Sequence, residues 1–328
     1  MQNQQAKTLI FSIFLTVFSA LIALSVAEVA LRIKNSDGQN YHIEMWKYSR
    51  DLKKRSDNPD IGHEHIPNKS AKLQNVEVRI NSHGMRGDEF PDIKDGQRRI
   101  MFLGSSATLG WGVPEEDTMT SVLQEKFKKD GKDNVVVMNA GIGNYNAKRY
   151  TELFLTKNTD LNPTDIVVNY YVNDAEVLEA GGGNFFIRNS EIAITFWILA
   201  NRLLAQNAEG HLLDHYKSIY EDDFEGFQDA KSSLKKLAEY AKEHNIRLYF
   251  MMMPEVHDLQ NYQYGFVHDK MKKIANDLGY KYVDALSAFQ TVEDAQSLWA
   301  MPGDPHPNAK AHHIFADVIY PFLKAQGN

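Results

Sequence analysis

From Arg98 onward, short apolar runs alternate with amphipathic segments, and nothing else in the chain constrains its fold as much. "RIMFLG" reads as a strand and "TMTSVLQEKFKKDG" as a helix closed by Gly131. "NVVVMNA", "DIVVNYYV", "IRLYFMMMP" and "KYVDAL" read as four further strands. "AKRYTELFLTK", "SSLKKLAEYAKEHN", "VHDKMKKIANDLG" and "NAKAHHIFADVIYPFLKAQ" read as the helices among and after them. Strands that are apolar throughout suit a sheet covered on both faces. Regular β–α alternation then predicts an α/β fold: a doubly wound parallel sheet in three αβα layers, over residues 96–328. In such a sheet, functional groups sit just past the C-terminal strand ends, near the topological switch point. The stretches expected there are "GSSATLG", "AGIGNY" and "YVNDAE".

Residues 1–34 do not belong to this pattern. "TLIFSIFLTVFSALIALSVAEVAL" carries no charge before Glu28. About 20 apolar residues suffice for a membrane-spanning helix. We read the segment as an uncleaved transmembrane anchor. A signal peptide cut after Ala27 is the rival, since Ser25 and Ala27 have the small side chains that cleavage needs. Residues 35–95 are polar and rich in turn signals, with one short strand candidate in "VEVRI", and read as a linker followed by a small elaboration. The formal net charge of -7 and the lack of a long basic block argue against nucleic acid as a partner. The absence of cysteine excludes disulfides, thiolate metal sites and a cysteine nucleophile.

The loop "GSSATLGWGV" invites a phosphate-binding reading, but it lacks the lysine of a phosphate loop and the GxGxxG spacing of a dinucleotide site. The strict G-x-S-x-G elbow is also missing. A serine at a strand-to-helix turn can nevertheless stand exposed beside the unpaired N–H groups of a helix start. A serine nucleophile needs a base, and His306 in "MPGDPHPNAKAHH" offers one, with Asp304 two residues before it to fix the ring. An oxyanion needs donors, and Gly143 in "AGIGNY" and Asn173 in "YVND" are the candidates. Taken singly, each reads more readily as a turn, surface or capping residue.

As an ordered set these segments resemble the SGNH or GDSL-like hydrolases, whose fold is flavodoxin-like. "FLGSSATLGWGV" resembles the family's first block and singles out Ser106 as nucleophile, with Ser105 where the family has aspartate. "NAGIGNY" matches the second block in part, one residue short, and points to Gly143. Asn173 and Asp174 match the third block. Asp304 and His306 match the last one, in a D-x-H spacing where the common form is D-x-x-H. The resemblance implies a Ser106–His306–Asp304 triad, with the N–H groups of Ser106 and Gly143 and the amide of Asn173 around the oxyanion. It implies an acyl-ester hydrolase or O-acyltransferase, with no cofactor. "INSHGMRGDEF" further resembles membrane-anchored members found with envelope-polysaccharide synthesis, which suggests acetylated glycans as substrate and that machinery as partner. A non-catalytic glycan-binding subunit and a lipid esterase or thioesterase are the alternatives.

That reading puts the catalytic domain outside the cytoplasm. The basic residues Arg32, Lys34, Lys47 and Arg50 after the apolar segment pull the other way, although this rule is weak for a large following domain. An insertion over 176–226 contains "FFIRNSEIAITFWILANRLL", read as a core-packed helix, with a cap or a membrane-surface helix as the functional alternatives. His63 and His65 form an H-x-H pair without a third ligand, so no metal is expected. His312 and His313 are expected to be partly exposed.

Overall fold

The computed structural model describes residues 2–91, 94, 96–179, 184–205 and 212–325. Parts of the expected insertion, 180–183 and 206–211, lie outside these residues. In chain order, α1 is Gln2–Lys34, α2 Tyr41–Asp51, β1 Lys53–Arg55, β2 His63–His65, β3 Lys69–Leu73 and β4 Val76–Ile80. β5 is Arg98–Gly104, α3 Ser106–Leu109, α4 Met119–Lys129, β6 Val135–Gly141, α5 Ala147–Leu153 and β7 Asp165–Tyr170. α6 is Phe185–Asn189, α7 Glu191–Ala205, α8 Leu212–Ile219, α9 Glu225–Glu243, β8 Arg247–Met252 and α10 Gly265–Asp277. β9 is Lys281–Asp284, α11 Leu286–Phe289, β10 Trp299–Met301, β11 Asp304–Pro307 and α12 Ala309–Lys324.

The chain divides into two compact units, one of residues 1–47 with 182–209 and one of 48–181 with 210–328. In the larger unit, five parallel strands stand in the order β6-β5-β7-β8-β9, so the expected doubly wound sheet is present. β5 and β7 are buried over their whole lengths. Alternate residues serve opposite layers. Ile100, Phe102 and Val167 pack with Phe127 of α4 and Phe315 of α12. Met101, Leu103, Ile166 and Val168 pack with Tyr150 of α5 and Leu234 of α9. The chain leaves β5 for β6 on one side and returns past it to β7 on the other. The switch point therefore falls between β5 and β7.

Residues 48–91 are more structured than a linker. β1 pairs with β2 and β3 with β4 as antiparallel hairpins. In the smaller unit, α1 is long and apolar enough to cross a membrane, by length and composition. Its companion α7 buries Ile194 against Ile43 and Trp46, and Trp46 Nε1 donates to the Ile187 carbonyl at 2.7 Å.

Candidate active site

β5 ends at Gly104, and the next two residues turn the chain into α3. A Cβ at Gly104 would lie 2.1 Å from Thr108 Oγ1 and 3.0 Å from the Asn169 carbonyl, so only glycine lets α3 sit this close to the sheet. Asn139 Nδ2 donates to the Thr108 carbonyl at 3.0 Å, and Asn169 Nδ2 donates to Thr108 Oγ1 at 3.1 Å. The short helix is thereby tied to both strands flanking β5. Ser106 is its first residue, and its N–H has no partner within the helix. Ser105 precedes it as the N-cap, and its carbonyl accepts from Thr108 and Leu109 N–H.

Ser106 Oγ lies 2.9 Å from His306 Nε2. His306 Nδ1 lies 2.5 Å from Asp304 Oδ1, which also accepts the His306 backbone N–H at 3.1 Å. Because a carboxylate only accepts, Nδ1 carries the ring proton and Nε2 is left to accept from Ser106. The D-x-H spacing has a simple geometric basis. Both residues lie on β11, and residues two apart on a strand face the same way. The hairpin of β10 and β11 turns through Gly303 at φ 79°. Asn308 caps α12 through the Ala311 N–H, and its amide also donates to the Ser297 and Trp299 carbonyls, which secures the far side of the loop.

Asp304 is buried, and its second oxygen accepts from Gln74 Nε2 at 2.8 Å and Trp111 Nε1 at 3.2 Å. Burial alone would raise its pKa. The bonds from His306 and Gln74 outweigh that and hold it below the ordinary carboxylate range.

Asn173 follows β7 in a turn, and its side chain makes no hydrogen bond among the described residues. Its Oδ1 is buried without a partner. The adjoining Asp174 is fully buried, and that burial pushes its carboxyl well above the ordinary range.

Gly143 departs from expectation. Its N–H donates to Tyr48 Oη at 2.9 Å, and its carbonyl accepts from His63 Nε2 at 2.9 Å. His65 faces the Gly84 carbonyl with Nδ1 at 2.9 Å and Tyr48 Oη with Nε2 at 2.7 Å. Nδ1 therefore carries the proton, Tyr48 donates to Nε2, and its oxygen is free to accept only from Gly143. The N–H assigned to an oxyanion from the sequence is already committed to a buried tyrosine. The next residue, Asn144, is exposed, has a left-handed φ of 63°, and its N–H donates to no described group.

Gln74, Tyr48, His63 and His65 all come from the segment read as a linker and a small elaboration. So does Arg86, whose side chain is wholly buried. It donates to the carbonyls of Leu109 at 2.7 Å, Gly110 at 2.5 Å and Val113 at 2.5 Å, and pairs with Glu115 at 3.0 Å. One side chain thus gathers the whole loop after the Ser106 helix. No motif flags Gln74, Tyr48 or Arg86 for such a role. The nearest signal is "INSHGMRGDEF", whose arginine is Arg86. His63 and His65, which suggested a half-formed metal pair, spend ring nitrogens on Gly143, Tyr48 and Gly84. His312 corrects another expectation. It is fully buried, accepts the Met119 N–H on Nδ1 at 3.0 Å, and burial pulls its pKa down to about 3. His313 is exposed and meets Asp117 at 3.0 Å.

A serine, a histidine and an aspartate in relay, at the switch point of a doubly wound parallel sheet, have the geometry of a serine acyl hydrolase. The chain belongs to the GDSL-like lipase/acylhydrolase family, which residues 102–314 match, and this makes it an ester hydrolase by class. No curated protein matches the sequence significantly. Among solved structures it is similar to the acetyl xylan esterase AlAXEase, at 17% identity and TM-score 0.45, over 69% of this chain and 99% of that one. It is also similar to a two-domain esterase active on acetylated mannans, at 17% identity and TM-score 0.46, over 70% of this chain and 49% of that one. A third is the psychrotrophic esterase EstA from Pseudoalteromonas sp., at 16% identity and TM-score 0.40, over 70% and 98%.

Proposed function

We propose that the protein is a membrane-anchored serine esterase or O-acyltransferase that acts on acetyl groups of envelope glycans. The relay of Ser106, His306 and Asp304 carries the reading. Ser106 Oγ attacks the ester carbonyl as His306 Nε2 takes its proton. The carbon–oxygen bond to the alcohol then breaks, and His306 returns the proton to the leaving oxygen. Asp304 holds the ring and stabilises its charged form. Water as the second acceptor gives hydrolysis, and a sugar hydroxyl gives acyl transfer. The oxyanion is received by the Ser106 N–H and the Asn173 amide. The third donor is the Asn144 N–H rather than that of Gly143, which Tyr48 occupies. Each such donor is worth about 10²–10³ in rate. In this reading α1 anchors the protein, and the catalytic domain stands on the outer side. The acetylated-glycan assignment, and polysaccharide-synthesis proteins as partners, rest on the resemblance of "INSHGMRGDEF".

The test is turnover of a chromogenic acetyl ester by wild type, Ser106→Ala and His306→Ala. Loss of roughly 10⁴-fold or more in both variants supports the triad. Equal rates in all three would transfer the assignment to a glycan-binding subunit that kept the fold.

A further inference from the structure

We propose that α6 and α7 form a second membrane element, an interfacial helical hairpin that lies in the headgroup–acyl boundary beside α1. This rests on the reading of α1 as an anchor. α7 is apolar on both sides. Its inner side carries Ile194 and Ile198, which pack with Ile43 and Trp46. Its outer side carries Phe196, Trp197, Leu199 and Leu203, which are 67%, 53%, 51% and 58% exposed. Phe185 and Phe186 of α6 extend this surface, at 73% and 71%. A helix that is hydrophobic all round is buried in protein or lipid, and a contiguous exposed apolar surface of this kind marks a binding face.

The bilayer is the occupant that the contacts to α1 favour. Glu28, the first charge after the apolar run of α1, caps the start of α7. Its carboxylate accepts from Ser190 Oγ at 2.9 Å and from the N–H groups of Glu191 and Ile192 at 2.9 and 3.0 Å. Arg32 pairs with Glu28 at 2.7 Å and donates to the Asn189 carbonyl at 3.0 Å. Asn35 Nδ2 donates to Glu191 at 2.8 Å, so that charge is spent inside the unit. The hairpin is thereby fixed at the level where α1 passes from apolar to charged, which is the membrane boundary. α7 has 15 residues, short of the roughly 20 needed to span. No charge falls between Glu191 and Arg202. A tryptophan on the outer side and arginines at 188 and 202 are what an interfacial helix presents to headgroups.

The chain has no cysteine, so single labels are clean. Full-length Phe196→Cys, Trp197→Cys and Leu203→Cys would carry an NBD fluorophore in phosphatidylcholine–phosphatidylglycerol vesicles. Phe14→Cys in α1 and Lys235→Cys on α9 are the controls. The expected result is blue-shifted emission at 196, 197 and 203, quenched by shallow lipid nitroxides and protected from aqueous iodide. Label at 14 should be quenched by deep nitroxides, and label at 235 by iodide alone. Iodide quenching at 196 and 197 equal to that at 235, with 14 still in lipid, would overturn the proposal and leave the anchor standing. Shielding from both quenchers would overturn it in favour of a protein partner or a second copy. A label at 14 outside lipid would remove the anchor reading and this one together.

Discussion

The loops after β5 and β6 leave the sheet side by side, from the paired ends Gly104 and Gly141, yet they are held by opposite means. The first presents Ser106 and is gathered from behind by Arg86, a permanently charged group that bonds to Leu109, Gly110, Val113 and Glu115. The second is gripped at Gly143 by neutral groups, Tyr48 on its N–H and His63 on its carbonyl. Both holds come from the same N-terminal segment. One holds the Ser106 loop with the charge of a guanidinium. The other takes a backbone donor out of use through a proton chain whose direction depends on His65 remaining neutral.

The largest effect is expected on the first loop. Arg86→Leu leaves three carbonyls and Glu115 without their donor. Breaking a buried ion pair from one side costs about 3–5 kcal/mol, or roughly 10 °C in a domain of this size. A displaced Ser106 should also lower kcat by roughly 10²-fold, since an error of about 1 Å in position carries that cost. Thermal melts and acetyl-ester turnover measure the two effects. Full activity at normal stability would mean that the loop holds its own shape and the comparison fails on this side.

The two loops also differ in how far they could be read from sequence. The strands and their parallel, doubly wound arrangement were legible from periodicity, and Ser106, Asp304 and His306 were singled out by ordered short motifs, because strand ends and turn residues leave local marks. Gln74 and Tyr48 left none, and the marks at His65 and Arg86 did not point to these roles. Each acts across a long stretch of chain, as Gln74 does on Asp304, and a polar residue bound far away resembles a solvated one. Gly143 shows the same limit from the other side. Its backbone was legible as a donor, but the tyrosine that occupies it sits 95 residues earlier. His312 differs from expectation because a buried histidine that accepts the Met119 N–H on Nδ1 has no sequence signature.

A smaller effect separates the loops by pH. Burial lowers His65 to about 4, and burial with the nearby Lys53 charge lowers His63 to about 3. Burial, with the charge of Arg149, also lowers Lys53 to about 7. Unfolded histidine takes its proton near 6.5, so between there and about 4 the unfolded chain binds more protons than the folded one. The contribution of His65 to stability is therefore complete above about pH 6.5 and is lost as pH falls toward 4. Lys53 adds the same sign between about pH 7 and 10.5. Each proton contributes a slope of up to about 1.4 kcal/mol per pH unit. His312 shares the direction from the first loop, so the informative quantity is a difference. His65→Gln should melt lower than wild type at pH 8 and lose less on going to pH 5. Parallel melting curves across that range would show that the neutral hold on Gly143 is not what titrates.

The smallest effect, and the sharpest test of which N–H faces the oxyanion, is that of Tyr48→Phe. The change keeps the ring against Trp111, 5.6 Å away between centroids, and removes only the hydroxyl. Gly143 N–H and His65 Nε2 then lose their partners in a buried place, at a cost of about 1–3 kcal/mol. If the Asn144 N–H serves the oxyanion, kcat stays at the wild-type value while the melting temperature drops. If the Gly143 N–H is the native donor and Tyr48 restrains it, removal of the hydroxyl frees that donor and kcat rises. A phosphonate trapped on Ser106 decides between the two in a crystal. Its oxyanion oxygen would stand within hydrogen-bond reach of Asn144 N in one case, and of Gly143 N with Tyr48 displaced in the other. The second outcome would make the two loops alike in function and leave only their means of restraint to distinguish them.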